Sequence, residues 1–351
     1  MDMGILIPTE ANSWQAAVRA EELGYTHAWF YDTPLLNAEL FTVMGAAAVK
    51  TSRIKLCTGV MIPSNRLAPV AASGLATLNA LAPGRVVFGV STGFTARRTM
   101  GLKPVTLARM CKYIEDVQGL LAGDMIEWDE EGETRRIKLI DPDRGLVNIK
   151  DPIPLAISAL GPKGRAAVAK YGAQWMGAAS VDDIATLQEM RTLWAQAGRD
   201  PKDLYIIGGG VGYVLEEGES VDSPKVMAHV GPAAALLFHN AVEQEEFGSL
   251  LPGAFPFPEL LEQYRRVYQR YEPADARYLS NHRGHLMYVR PDETHITGDV
   301  IKALGLVCTR AEAIERLKRV RDEGFNQVVF GALPGRENEM MTRNADLMAQ
   351  I

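Results

Sequence analysis

Short apolar runs alternate with amphipathic stretches along most of the chain, the pattern left by strands that are each followed by a covering helix. Met3–Pro8 reads as the first strand, Ser13 as the cap of a helix carrying Trp14, Ala17, Val18 and Leu23, and Tyr25–Tyr31 as the second strand. Helix 39–50, strand 54–62, an alanine-rich helix from Pro69 to Ala82-Pro83-Gly84 and strand 85–90 continue the series. Further on come helix 107–121, strand 155–158, helix 164–171 and strand 174–178. A helix through Leu187, Met190 and Trp194 and a strand over 204–214 complete seven units, with Thr309 and Glu312 forming a capping box before the last helix and the eighth strand at 328–331.

Eight such units are the number at which a parallel sheet closes, so a TIM (β/α)8 barrel in one domain over residues 1–351 is predicted. A doubly wound sheet would call for a glycine fingerprint after the first strand, where Pro8-Thr9-Glu10-Ala11-Asn12 stands instead. Two segments fall outside the repeat. Residues 124–150, with alternating charge over 128–140, read as an excursion hairpin. Residues 218–300 read as an insertion between the seventh strand and the last unit, containing the helical stretches 229–246 and 260–271 and the proline-rich run 251–258. The insertion leaves from the strands' C-terminal ends, where barrel active sites lie, and is expected to act as a lid.

Composition adds exclusions. With 47% hydrophobic and 23% charged residues the chain is ordinary globular protein, and a net charge of −6 with no basic stripe argues against nucleic acid. Cys57, Cys111 and Cys308 give neither a disulfide framework nor a zinc pattern. Without a leader or spanning segment, a cytoplasmic location off the membrane is expected. The small-residue face Gly45–Ala48 would permit close helix packing, within the chain or in a homodimer or higher oligomer.

Two loops have the chemistry of anion sites. After the fourth strand, Ser91, Thr92, Gly93, Arg97, Arg98 and Gly101 combine hydroxyls, glycines and guanidinium groups. After the fifth, Ser158-Ala159-Leu160-Gly161-Pro162-Lys163 runs straight into a helix N-terminus, where unpaired amides and the helix dipole favour negative charge.

These loops, together with Thr58-Gly59-Val60 at the end of the third strand, resemble those of the luciferase-like flavin-dependent oxidoreductases over nearly the whole chain. That resemblance implies an enzyme using either reduced FMN with O2 as a monooxygenase or an 8-hydroxy-5-deazaflavin coenzyme in hydride transfer, acting on a small organic molecule. By the same resemblance Arg98 contacts the cofactor phosphate with Ser91, Thr92 and Gly93, joined by Ser158, Ala159, Gly161, Pro162 and Lys163, while Thr58 and Gly59 lie beside the ring. The main expectation is FMN monooxygenation, because Thr33 follows Asp32 where many deazaflavin-using members have histidine. Asp32 is then either a proton-transfer or substrate-binding residue or a loop cap through backbone amides. In His282-Arg283-Gly284-His285, either histidine is a candidate for the active-site mouth, His282 being the chosen catalytic residue, and no metal is expected. His27 and the Tyr264, Tyr268, Tyr271 stripe read as packing. A barrel that binds ligand without turnover is the alternative from another class.

Overall fold

The computed structural model describes residues 1–177, 184–248 and 255–351. The end of the expected sixth strand at Ala178 and the first four residues of the proline-rich run lie outside them. In chain order the elements begin β1 (Asp2–Ile7), α1 (Trp14–Glu22), β2 (His27–Phe30), α2 (Leu40–Lys50), β3 (Lys55–Thr58), α3 (Ala68–Leu81) and β4 (Val86–Val90). They continue with α4 (Thr95–Arg98), α5 (Leu107–Leu121), β5 (Ile126–Glu130), β6 (Glu133–Ile137), β7 (Leu155–Ser158), α6 (Pro162–Tyr171), β8 (Gln174–Met176) and α7 (Ile184–Gln196). Last come β9 (Ile206–Gly209), β10 (Tyr213–Val214), α8 (Pro224–Glu246), α9 (Pro258–Tyr268), α10 (Arg277–Asn281), α11 (Gly298–Ala303), β11 (Val307–Cys308), α12 (Arg310–Asp322), β12 (Gln327–Gly331) and α13 (Glu337–Met348).

Eight parallel strands close in the order β1-β12-β9-β8-β7-β4-β3-β2, so the chain is a TIM barrel. Because strand side chains alternate between faces, each strand divides its residues between two cores. Trp29, Cys57, Val87, Ala156, Ile207 and Val329 pack with Leu6, Met176 and Tyr205, one or more from every barrel strand, and fill the lumen. Their neighbours Ile5, Phe30, Leu56, Phe88, Ile157, Trp175, Ile206 and Val328 belong to the larger core between strands and helices. Of the small-residue face, Ala47 and Ala48 of α2 are buried there beside Met44, while Gly45 and Ala46 are half-buried.

Three local expectations change. Ser13 does not cap α1; its hydroxyl accepts from Glu10 N at 2.8 Å and donates to Pro8 O at 3.1 Å, closing a turn one step earlier. The stretch 204–214 is two strands, since after β9 the chain leaves the barrel and β10 pairs with β11. Glycine makes this departure possible: a Cβ on Gly212 would sit 2.1 Å from Leu306 O. Helix α8 starts earlier than its periodicity suggests and keeps Pro232 inside it. The Thr309–Glu312 capping box is present as expected. Residues 126–137 form an antiparallel hairpin turning at Glu131 and Gly132, both with positive φ.

Between β10 and β11, helices α8, α9 and α11 enclose a separate core around Phe238, Leu261, Tyr264 and Ile301. Trp29, fully buried at the centre of the lumen, tests the barrel: Trp29→Ala should cost about 3–5 kcal/mol in chemical denaturation. A loss under about 1 kcal/mol would mean that the lumen recloses around the gap.

Candidate active site

The lumen alternation also sets the mouth. Two residues beyond the lumen side chains come, among the described residues, Pro8, Tyr31, Gly59, Gly89, Ser158, Gly209 and Gly331, four of these seven being glycine. A Cβ on Gly59 would meet Trp29 Cβ at 2.7 Å and one on Gly89 would meet Thr58 O at 2.1 Å, whereas Gly209 and Gly331 have nothing within 4 Å among the described residues. Among the described residues the rim is therefore lined largely by backbone, with space beside Gly209 and Gly331. The peptide Gly59–Val60 is cis, and Thr58, fully buried, locks it to β4 by donating to Gly89 O at 2.6 Å and accepting from Gly89 N at 2.8 Å.

The two anion-site loops are adjacent. Ser91 Oγ donates to Ser158 O at 3.2 Å across the β4–β7 pairing. Gly93 has φ +79° and an added Cβ would lie 2.5 Å from Ile62, so this turn accepts only glycine without rearrangement. The donors divide into committed and free. Ala159 N is bound to Met176 O at 2.9 Å. Pro162 opens α6 and has no N–H to give. Gly161 is the extended N-cap, and Lys163 in the first turn is exposed. The first-turn amides of α6, Lys163 and the half-buried Thr92 are thus the groups facing outward.

Arg98 is placed otherwise than its sequence suggests. It is 2% exposed, lies 3.6 Å over the Phe94 ring, and its Nη1 pairs with Glu243 Oε2 at 3.1 Å and bonds Asn240 Oδ1 at 3.3 Å. Burial pulls the guanidinium below its ordinary pKa, opposed by the Glu243 charge. In this arrangement Arg98 clamps the β4 loop to α8 and is closed to solvent. Glu243 sits at the hub: its Oε1 lies 2.8 Å from His282 Nε2 and accepts from Asn281 Nδ2 at 2.7 Å. Asn281 accepts in turn from Tyr264 OH at 2.5 Å, and Arg290 donates to Tyr264 OH at 2.8 Å. Tyr264 thus packs as expected and is also a polar link.

Asp32 accepts from Ile62 N at 3.1 Å and pairs with Arg66 Nη1 at 2.8 Å, so its carboxylate ties the loop after β2 to the loop after β3. Of the two expected mouth histidines, His282 faces Glu243, while His285 lines a small cavity with Tyr31, Thr9 and Pro334. His285 Nδ1 has no hydrogen-bond partner, and burial, reinforced by His282, His239 and Arg290, holds the ring well below its usual pKa and therefore neutral. His27 is buried, with Nδ1 2.8 Å from Thr26 Oγ1.

Tyr31 is the main residue that sequence reading passed over. It lines the mouth cavity and a larger one of about 380 Å³, and burial pushes its phenol up to about 12. The signal was its spacing, two residues beyond Trp29 on a strand whose alternate residues point inward. Glu243 was also missed; it ends the run Phe238-His239-Asn240-Ala241-Val242, where an acid needs a partner.

A family model described as luciferase-like monooxygenase matches residues 8–327. A 5,10-methylenetetrahydromethanopterin reductase of Methanolobus tindarius is 25% identical over 271 residues, 67% of this chain and 76% of its own. An F420-dependent glucose-6-phosphate dehydrogenase of Beutenbergia cavernae is 35% identical over 139 residues, but the match covers only 37% of this chain and 39% of that enzyme. Among solved structures, the coenzyme F420-dependent tetrahydromethanopterin reductase of Methanopyrus kandleri shares the fold at TM-score 0.66 and 18% identity, covering 98% of this chain and 97% of its own.

Two outcomes follow from the Glu243 hub. Glu243→Gln leaves Arg98 buried without its counter-charge and should destabilise the protein by about 3 kcal/mol or more, as loss of one partner of a buried pair does. The Glu243 carboxyl is held below its ordinary value: burial opposes this, and His282, Asn281 and Arg98 outweigh it. Its stabilisation is therefore complete above the ordinary value of 4.5 and lost as pH falls below it. Denaturation against pH should show a steeper acid loss for the wild type than for Glu243→Gln, and parallel curves would remove Glu243 from the hub.

Proposed function

The chain belongs to the luciferase-like monooxygenase family of oxidoreductases, and on that premise we propose that it is a deazaflavin-dependent enzyme transferring hydride between the coenzyme and a small organic substrate. The observation that carries this reading is the kinship: the reductase and dehydrogenase relatives align at 25% and 35% identity, and the second is named for dependence on coenzyme F420. This replaces FMN monooxygenation as the leading reading. The substitution of Thr33 for histidine loses its weight against FMN's rival, because Asp32 beside it is already spent on Arg66 and the Ile62 amide.

The residues present fit such a coenzyme. Among the described residues there is space beside Gly209 and Gly331 at the rim, which suits a flat ring, with Thr58 and Gly59 fixing the backbone opposite. For the phosphate we assign Thr92, the first-turn amides of α6 and Lys163, with Gly93, Ser91 and Ser158 shaping the two loops and Ala159 and Gly161 setting the approach to the helix. Arg98 holds the β4 loop in place from behind. When bound, the deazaflavin supplies a two-electron hydride donor or acceptor.

The chain's own contribution to turnover is a proton held at the right place. The Tyr31 phenol, pushed up by burial to about 12, is protonated in the neutral range as an ordinary phenol is, and it can pass that proton to the more basic alkoxide oxygen that forms as a carbonyl carbon of the substrate gains hydride. Asp32 and His282 act at one remove, through Arg66 and Glu243.

Monooxygenation with reduced FMN and O2 is the second reading, favoured by the description of the family model. Equilibrium titration with the deazaflavin coenzyme and with reduced FMN separates them: deazaflavin should bind the more tightly, tight binding of reduced FMN alone would move the reading to monooxygenation, and binding of neither would leave a non-catalytic barrel. Tyr31→Phe should lower turnover by about 10²-fold, the lower range for a positioned acid, with coenzyme affinity unchanged. Unaltered turnover would take Tyr31 out of this role.

A further inference from the structure

The cavity of about 380 Å³ is not at the anion loops. It runs from the barrel rim at Tyr31 and Gly331, over the end of β12, to a space between α8, α12, α13 and the β10–β11 pair. Its middle is apolar, walled by Val211, Leu304, Leu306, Phe330, Leu333 and Met340. Its far end carries positive charge. Arg343 lies over the Tyr213 ring at 4.3 Å and donates to Val214 O through Nη2. Its Nη1 is buried without a hydrogen-bond partner among the described residues, Glu339 being 3.9 Å away. Arg316 also lines the cavity, half-buried and in no ion pair among the described residues. Both arginines line the same cavity, and Arg343 is held at the β10 strand end through Val214 O.

His229 adds a second unsatisfied group on the same wall. It is 6% exposed, its Nδ1 is 2.7 Å from Lys225 O, and its Nε2 has no hydrogen-bond partner among the described residues, with Glu339 3.7 Å away. Both atoms have Glu339 at ion-pair rather than hydrogen-bond distance, which leaves room for a closer acceptor. An apolar passage that starts at the barrel rim and is bordered at Arg316 and Arg343 by guanidinium groups has the polarity of a molecule with an apolar body and one anionic end.

We propose that this cavity binds the apolar body of a carboxylic-acid substrate, its acid end at Arg316 and Arg343 and its other end brought to Tyr31 and Gly331. The placing of a reacting end rests on the hydride-transfer reading; the binding of the acid does not.

Isothermal titration of the full chain with decanoate, and with decan-1-ol as its uncharged twin, tests the assignment. Decanoate should bind, and Arg316→Gln should weaken it by about tenfold or more, the scale of a lost charged hydrogen bond, while leaving decan-1-ol unchanged. Arg343→Gln should do the same, but Arg343 also packs on Tyr213, so Arg316, half-buried on a helix, is the primary variant. Ala233→Trp, which fills the cavity from α8, should abolish both. Equal affinity for acid and alcohol, or no effect of any of the three substitutions, would overturn the proposal, as would coenzyme binding with no decanoate binding. Decanoate binding without coenzyme binding would support the cavity assignment and sink the hydride-transfer reading alone.

Discussion

The alternation of side chains in a closed parallel barrel is the constraint from which the rest follows. Closure obliges every strand to send alternate residues inward, and the chain fills the middle of that interior with Trp29, Cys57, Val87, Ile207 and their neighbours. One step further along the strands the same rule points inward again, and there β3, β4, β9 and β12 lead to glycine at Gly59, Gly89, Gly209 and Gly331. A solid middle and a hollow rim are thus the same periodicity read two residues apart. The rim at Gly331 meets the large cavity, so the proposed place for a ring and the proposed route for a substrate adjoin where a side chain is missing.

Around this rim the loops are held by buried charge. Asp32 and Arg66 join the β2 and β3 loops, and Arg98 and Glu243 join the β4 loop to α8. An ion pair at 2% exposure adds little stability relative to apolar packing, yet either charge alone would be costly to bury. Such a pair fixes position. The segment between β10 and β11 has its own apolar core, and this polar seam of Arg98, Glu243, Asn281 and Tyr264 sets it against the barrel. Residues that look like ligands for an anion can therefore serve one step back, by shaping the loop that presents other donors.

The same principle separates groups that touch a reactant from groups that place them. Thr92, Lys163 and the first turn of α6 face outward, as does Tyr31 into its cavities, whereas Asp32 pairs with Arg66, and Arg98 and His282 both face Glu243. The proton transfer proposed for this site is accordingly assigned to Tyr31, whose ring lines the cavities, and not to Asp32 or His282, which face other charged groups of the chain.

What the sequence determined by itself was whatever depends on neighbours along the chain: the strand and helix series, the eightfold count and hence the barrel, the Thr309–Glu312 capping box and the two glycine-rich loops at helix starts. These signals are local because hydrogen-bonded turns and amphipathic faces repeat over a few residues. Tertiary structure decided the partners. Arg98 and Glu243 are far apart in the chain, and no spacing in the sequence says that they meet; nor does any say that Arg316 and Arg343 line one cavity with Tyr31. Ser13 and the stretch 204–214 were misread for the same reason, since a hydroxyl chooses among nearby carbonyls and amides, and a strand among neighbours, only once the chain is folded. Whether a charged side chain faces a ligand or another charge is set by desolvation and by which opposite charge the fold brings within about 4 Å, and that is a property of the packed molecule alone.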